Sequence, residues 1–254
     1  MVSIVMKKKI LAFALIAFAL VLSSFKEQAP VTVFMIGDST MANKPYKDGN
    51  PEKGWGQVFG LYFNEQVKVD NHAVNGRSSL SFLGEHRWEP ILKKLQPGDY
   101  VIIQFGHNDQ KKDEARHTEP EEGYRANYIK YIEEARAKGA IPIVATPIVR
   151  RRFDENGTFY GTHGNYPDAV RKLAKDFDVP LLDLHSKSMQ LVKDFGEIRS
   201  KQLYLHLTAG EYASLPEGRE DDTHLSAYGA FKIADLAVAE IKENVPALAE
   251  FLKK

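Results

Sequence analysis

Five short apolar runs, at residues 31–36, 67–73, 100–105, 141–146 and 180–184, recur along this chain with longer stretches of mixed character between them. Runs of that length, apolar at most successive positions in all but 67–73, suit strands covered on both faces. Neighbouring strands of that kind run parallel and need crossovers of a dozen residues or more. Segments 55–63, 88–95, 123–138, 166–176 and 227–242 are read as the helices. The alternation predicts an α/β fold, a doubly wound three-layer α/β/α sandwich around a five-stranded parallel sheet. No internal repeat, low-complexity tract or shift of composition divides residues 30–254, so a single domain is expected there. The chain of 254 residues, 43% of them hydrophobic, can bury one large core. A formal net charge of zero offers nothing to a polyanion, and nucleic acid is not an expected partner.

The first residues obey a different logic. Lys7, Lys8 and Lys9 precede an apolar run from Ile10 to Leu22, and two small residues, Ser23 and Ser24, follow it. A basic head, a short apolar run and a small-residue end predict a secretory signal peptide over residues 1–24, the run being short for a membrane-spanning helix. Its removal takes away three lysines and no acid, which leaves a mildly acidic mature chain with no expected membrane insertion. With no cysteine there is neither a lipid-anchored N-terminal cysteine nor a disulfide framework, so an exported chain relies on its core alone. The expected location is the periplasm or the exterior of a bacterium.

Ligands of open parallel sheets sit beyond the carboxyl ends of the strands. There the sequence places GDST after the first strand, AVNGRSS after the second and QFGHND after the third, with EDDTHLS just before the last helix. A serine hydroxyl becomes a useful nucleophile only beside an imidazole that takes its proton, and that imidazole needs a carboxylate to hold its tautomer. Ser39, His224 and Asp221 supply these groups, Asp221 reaching back across a turn from three residues upstream. The backbone N–H groups of Ser39 and Gly76 and the side-chain amide of Asn108 are candidate donors for an oxyanion hole. Each residue also has a plainer role open to it: a turn serine, a glycine present for its backbone conformation, an Asx-turn asparagine, a histidine at a helix start.

These four blocks stand in the order and contexts of the SGNH (GDSL-like) hydrolase superfamily, which the chain resembles over essentially all of its length after the leader. Threonine after the serine in GDST, GWGQ at 54–57, NGRSS, QFGHND and NYPDAVRKLA at 165–174 make it look most like the rhamnogalacturonan acetylesterases of that superfamily. The resemblance implies a flavodoxin-like SGNH hydrolase fold and deacetylation through an acetyl-serine intermediate. It implies Ser39, Asp221 and His224 as catalytic residues and Ser39, Gly76 and Asn108 as the oxyanion hole. It implies an acetylated polysaccharide or oligosaccharide as substrate, and no metal or organic cofactor. Acetylated xylan, another acetylated glycan or a small acyl ester remains an alternative substrate, and a non-catalytic glycan-binding protein is a further alternative. Among the adjacent acids Glu220, Asp221 and Asp222, the DxxH spacing selects Asp221 and leaves Asp222 to the dipole of the following helix.

The substrate is read from the loops. Segment 150–166 carries Arg150, Arg151 and Arg152 together with Phe159, Tyr160 and His163. It is either a wall suited to acidic sugars or a solvated surface loop. Polar stretches 110–123 and 199–220 are expected to complete the rim. Trp55 and Trp88 are expected in the packing, and His117 with Glu119 and Glu121 as a solvated cluster rather than a metal site.

Overall fold

The structure is a computed structural model that describes residues 30–253; the segment read as a leader, 1–24, lies outside the described residues. Strands β1 (Val31–Gly37), β2 (Val67–Asn71), β3 (Tyr100–Gln104), β4 (Ile141–Ala145) and β5 (Leu181–Leu182) form one sheet in the order β2-β1-β3-β4-β5, every pairing parallel. The side chains alternate along each strand and feed two separate cores. On one face Val33, Met35, Ile102 and Ile143 pack with Trp55 and Phe59 of α1 (Trp55–Phe59). The same core takes in residues of α6 (Leu184–Arg199) and α7 (Ala227–Asn244), and Leu248 of α8 (Pro246–Ala249). On the other face Phe34, Ile36, Val101, Ile103 and Val144 meet α2 (Ser79–Gly84), α3 (Glu89–Lys94), α4 (Arg125–Ala137) and α5 (Tyr166–Asp176). Helices on both faces of a parallel sheet make the three-layer sandwich expected from the apolar runs.

The chain leaves β1 toward β2 on one side and returns across it to β3 on the other. The connections that leave the paired carboxyl ends of β1 and β3 therefore part in opposite directions, and the loops after β1, β2 and β3 border the crevice that opens there. Several quoted motifs build the frame beneath it. The indole N–H of Trp55, in GWGQ, donates to Gln104 Oε1 at the end of β3 (2.8 Å), and Gln57 Oε1 accepts from Lys44 N–H (3.0 Å) in the loop after β1. Tyr166, in NYPDAVRKLA, donates its hydroxyl to the carbonyls of Asp109 and Thr118, tying α5 to the loop after β3. Trp88 is fully buried and bonds Glu134, so both tryptophans are packing residues.

Several elements differ from the expectation. The run at 180–184 yields only the two-residue β5, because Asp183 accepts the N–H of Ser186 and starts α6 there. Helices α2 and α6 were not read from the sequence. Neither was a separate antiparallel pair, β6 (Tyr204–Leu207) with β7 (Arg219–Leu225). Stretch 199–220, read as polar rim, thus contains β6 and the start of β7, and the last histidine block, which does stand just before α7, belongs to strand β7. The helix dipole is not served by Asp222: Ser226 caps α7 by accepting the N–H of Gly229 (3.0 Å).

Candidate active site

Strand β1 ends at Gly37, and Asp38 organises the turn that follows. One carboxylate oxygen accepts both the N–H (2.9 Å) and the hydroxyl (2.8 Å) of Thr40, while its carbonyl accepts the N–H groups of Met41 and Ala42. Ser39 is thereby held at the end of the central strand with its side chain at the edge of solvent. Its Oγ lies 3.0 Å from His224 Nε2, and His224 Nδ1 lies 2.8 Å from Asp221 Oδ2.

The pairing of β6 with β7 explains how His224 arrives there. Leu205 faces Asp221 and Tyr204 faces Leu225, so Asp222, Thr223 and His224 have no partners across the ladder and bulge out of β7. Asp221 Oδ1 accepts the N–H groups of Thr223 (2.8 Å) and His224 (3.0 Å), which stiffens the bulge from inside. Burial alone would push the Asp221 carboxyl up, but the His224 ring and these two backbone donors hold it well below the usual carboxylate range.

The other two blocks approach from β2 and β3. The parallel ladder continues past β2, with His72 N–H on Met35 O (2.8 Å) and Val74 N–H on Gly37 O (3.0 Å), and the chain then turns at Gly76. Gly76 has φ +76, a conformation a side chain strains even though nothing would crowd a Cβ there. Asn108 is almost fully buried, and its amide donates one N–H to the carbonyl of Arg77 (3.1 Å), leaving its second N–H as a donor. That bond joins the loops after β2 and β3. Asp109 joins them again, because its carboxylate accepts the N–H (2.9 Å) and hydroxyl (2.5 Å) of Ser79, the hydroxyl of Thr118 (3.2 Å) and the N–H of Gly106 (3.0 Å). Burial is the largest influence on this carboxyl and pushes it up to about 7 despite those donors. Asp109→Ala would strand four buried donors, and unfolding by urea is expected to show a loss of about 3 kcal/mol.

Behind the serine, Asp38 Oδ2 lies 3.3 Å from His107 Nδ1, both side chains buried. Burial pushes His107 down; burial also works against the Asp38 carboxylate, but the His107 ring beside it and the bonds from Thr40 outweigh that and hold the carboxyl below its ordinary value. Asp38 is thus a turn-forming residue outside the Ser39–His224–Asp221 line. His72 stacks on Phe34 and pairs with Asp70 at the edge of the sheet.

The arginines of segment 150–166 are mostly committed inward. Arg150 donates to His107 O (3.1 Å), Gln110 Oε1 (3.2 Å) and Thr162 Oγ1 (3.0 Å). Arg151 is buried and bonds Asp222 Oδ1 (3.0 Å), Ser200 Oγ (3.0 Å) and the carbonyl of Glu197 (2.5 Å). Arg152 pairs with Asp222 Oδ2 (2.8 Å) and remains half exposed. Phe159 packs edge-on against Phe153, and His163 is buried against His107. This segment is a brace for the bulge more than a surface for sugars.

Two contacts were not anticipated. Asp222 accepts from His206 Nε2 (2.7 Å) as well as from Arg151 and Arg152, which pins the bulge to β6 and to segment 150–166. Arg219 Nη2 lies 2.9 Å from Asp221 Oδ2, the same oxygen that meets His224. Residues two apart on a strand share a face, so an RxD spacing signals the second contact once the segment is recognised as a strand. Among the described residues no group of three or more His, Cys, Asp or Glu side chains is arranged to hold a metal ion, and His117 pairs with Glu119 on the surface.

Such an assembly can carry out acyl transfer. It has a hydroxyl bonded to an imidazole, a carboxylate ordering that imidazole, and candidate donors on the turns that follow three strands of the sheet. The description of the GDSL-like lipase/acylhydrolase family matches residues 35–230. The chain is 44% identical over 214 residues to rhamnogalacturonan acetylesterase RhgT of Bacillus subtilis, covering 84% of this chain and 90% of that protein. It is 36% identical to the probable rhamnogalacturonan acetylesterase YesY of the same organism over 87% of this chain and 97% of the relative. The crystal structure of YxiM from B. subtilis superposes with a TM-score of 0.71 at 30% identity, covering 85% of this chain and 57% of that longer one.

Proposed function

Because the chain belongs to the GDSL-like lipase/acylhydrolase family and is a carboxylic ester hydrolase, we propose that it removes O-acetyl groups from rhamnogalacturonan through an acetyl-Ser39 intermediate. The observation that carries this reading is the line of contacts from Ser39 Oγ through His224 to Asp221, at 3.0 and 2.8 Å. The substrate class rests on the two curated relatives named above, whose lengths this chain nearly spans.

In the first half-reaction Ser39 Oγ bonds to the acetyl carbonyl carbon while its proton passes to His224 Nε2. The carbonyl electron pair moves onto oxygen, and the N–H groups of Ser39 and Gly76 and the amide of Asn108 receive the negative charge. Collapse breaks the bond to the sugar oxygen, which takes the proton back from His224 and leaves as a hydroxyl. Water then repeats the sequence on the acetyl-serine: it gives one proton to His224, bonds to the carbonyl carbon, and releases acetate as the proton returns to Ser39. Asp221 stays ionised throughout and balances the imidazolium.

Acetate release is measured in parallel on acetylated rhamnogalacturonan, acetylated xylan and a chromogenic acetyl ester, with the protein and with Ser39→Ala. Serine-dependent release chiefly from the pectic substrate is the expected result; release chiefly from xylan or the small ester overturns the substrate and keeps the chemistry. Asn108→Ala is expected to lower turnover on the preferred substrate about a hundredfold with the fold retained by circular dichroism. Unchanged turnover would remove Asn108 from the oxyanion hole.

Export belongs to the same reading. A basic head and apolar run at 1–24 direct the chain out of the bacterial cytoplasm, which is where a polymer of this kind is met. N-terminal sequencing of the protein recovered from periplasm and medium tests this, and a protein retaining Met1 in the cytosol would overturn it.

A further inference from the structure

Two neighbouring recesses with shared walls lie along the β6–β7 hairpin, next to the catalytic bulge. The larger, of about 560 Å³, is bounded by the loop after β1, by β6 and by the start of α7. The smaller, of about 240 Å³, shares Lys201, His206 and Leu207 with it and reaches Arg219. Both adjoin the bulge through bonds already named: Arg219 holds Asp221, His206 holds Asp222, and Ser226 stands two residues beyond His224.

Three features of these walls ask for an explanation. Tyr46 and Tyr228 are 75% and 45% exposed, among the few large apolar side chains left open on the described surface, and Tyr212 joins them in the same groove. Among the described residues the Lys201 ammonium makes no ion pair or hydrogen bond, and Arg219 spends only one of its five side-chain N–H groups, on Asp221. Lys53 donates to the carbonyls of Asn50 (2.5 Å) and Glu52 (2.9 Å), and its ammonium lies 5.0 Å from the Tyr46 ring, with no carboxylate on it. Glu211 and Glu220 stand on the same walls, but Glu211 already accepts the N–H of Thr208. Flat aromatic faces suit the apolar faces of sugar rings, and guanidinium or ammonium donors suit a uronate carboxylate.

We propose that this pair of recesses is a subsite for an acidic, uronate-containing stretch of the polysaccharide, with Lys201 and Arg219 on carboxylates and Tyr46, Tyr212 and Tyr228 against the rings. The subsite deepens the proposed activity and rests on it for the substrate class. It assigns the recognition of acidic sugar to the hairpin instead of the arginine segment 150–152, whose guanidinium groups are largely spent on the bulge and its neighbours.

Binding is tested without turnover, on full-chain Ser39→Ala, by calorimetry with a deacetylated rhamnogalacturonan oligosaccharide and a xylo-oligosaccharide of equal length. The acidic oligosaccharide is expected to bind more tightly, with an affinity that falls as salt is raised. Lys201→Gln is expected to weaken it about fivefold while Lys201→Arg restores most of the loss, and Tyr228→Ala to weaken it by a similar factor. In the active protein, Lys201→Gln is expected to lower the ratio of kcat/KM on the polymer to kcat/KM on the chromogenic ester by the same factor. Equal affinity for the neutral oligosaccharide, or an unchanged Kd in Lys201→Gln with unaltered thermal unfolding, overturns the subsite. Failure of the wild-type protein to deacetylate pectin while Ser39→Ala still binds the acidic oligosaccharide through Lys201 overturns the proposed activity and leaves the subsite standing.

Discussion

His224→Ala is expected to lower kcat by about ten-thousandfold or more, with KM little changed and the fold intact. Among the described residues the imidazole is the only base in contact with Ser39 Oγ, at 3.0 Å, and without it the hydroxyl keeps its proton. Ser39→Ala should lose a similar amount, and the double variant should lose no more than the larger single loss, because the two side chains act on one proton. Additive losses in the double variant would mean that His224 serves some other step. The imidazole stands on the bulge with 27% of its side chain exposed, so its removal opens little cavity, and thermal unfolding should move by a few degrees at most. A large drop in stability would make the loss of activity structural.

The second large effect separates two adjacent acids. Asp221→Asn is expected to cut kcat by about a thousandfold or more, since an amide cannot hold the His224 ring in the tautomer that accepts a proton at Nε2. Asp222→Asn should cost turnover less than tenfold. Asp222→Ala instead should lower stability by about 3 kcal/mol, because Arg151 is buried and would be left without its carboxylate. Turnover should thus fall far more at Asp221 than at Asp222, while the urea midpoints should fall at both positions. The reverse ranking would show that Asp222 holds the imidazole. The pH dependence has a defined sign. The folded-state Asp221 carboxyl is held well below its unfolded value, so the stability it contributes is full above about pH 4. That stability is lost as the pH falls through the lower folded value, and the stability gap between the wild type and Asp221→Asn should close as the solution is made strongly acidic.

The parallel sheet was legible in the sequence because strands covered on both faces must be apolar at successive positions, as Val101, Ile102 and Ile103 are. The site blocks were legible for a related reason: polar residues that directly follow such strands gather at one edge of the sheet. The hairpin of β6 and β7 was not. In REDDTHL only the final leucine is apolar and buried, so neither alternation nor a continuous apolar run marks the strand. Helix α2 was missed for want of length, six residues carrying too little periodicity to stand out from the NGRSS block before it. Helix α6 has length but is broken near its end, where Gly196 leaves helical geometry.

By itself the sequence determined the layer architecture, the four polar blocks and the DxxH spacing, since these follow from side-chain chemistry and chain order. Only the tertiary structure decided what the charges do. Arg150 and Arg151 look from the sequence like residues free to face solvent or substrate, and Asp222 like one serving a helix dipole, yet all three are drawn into the scaffold by partners dozens of residues away, Asp222 by an arginine 71 positions earlier. A guanidinium or a carboxylate carries the same charge wherever it stands. Whether it meets a ligand or a neighbour depends on which distant segments the fold brings within 3 Å of it.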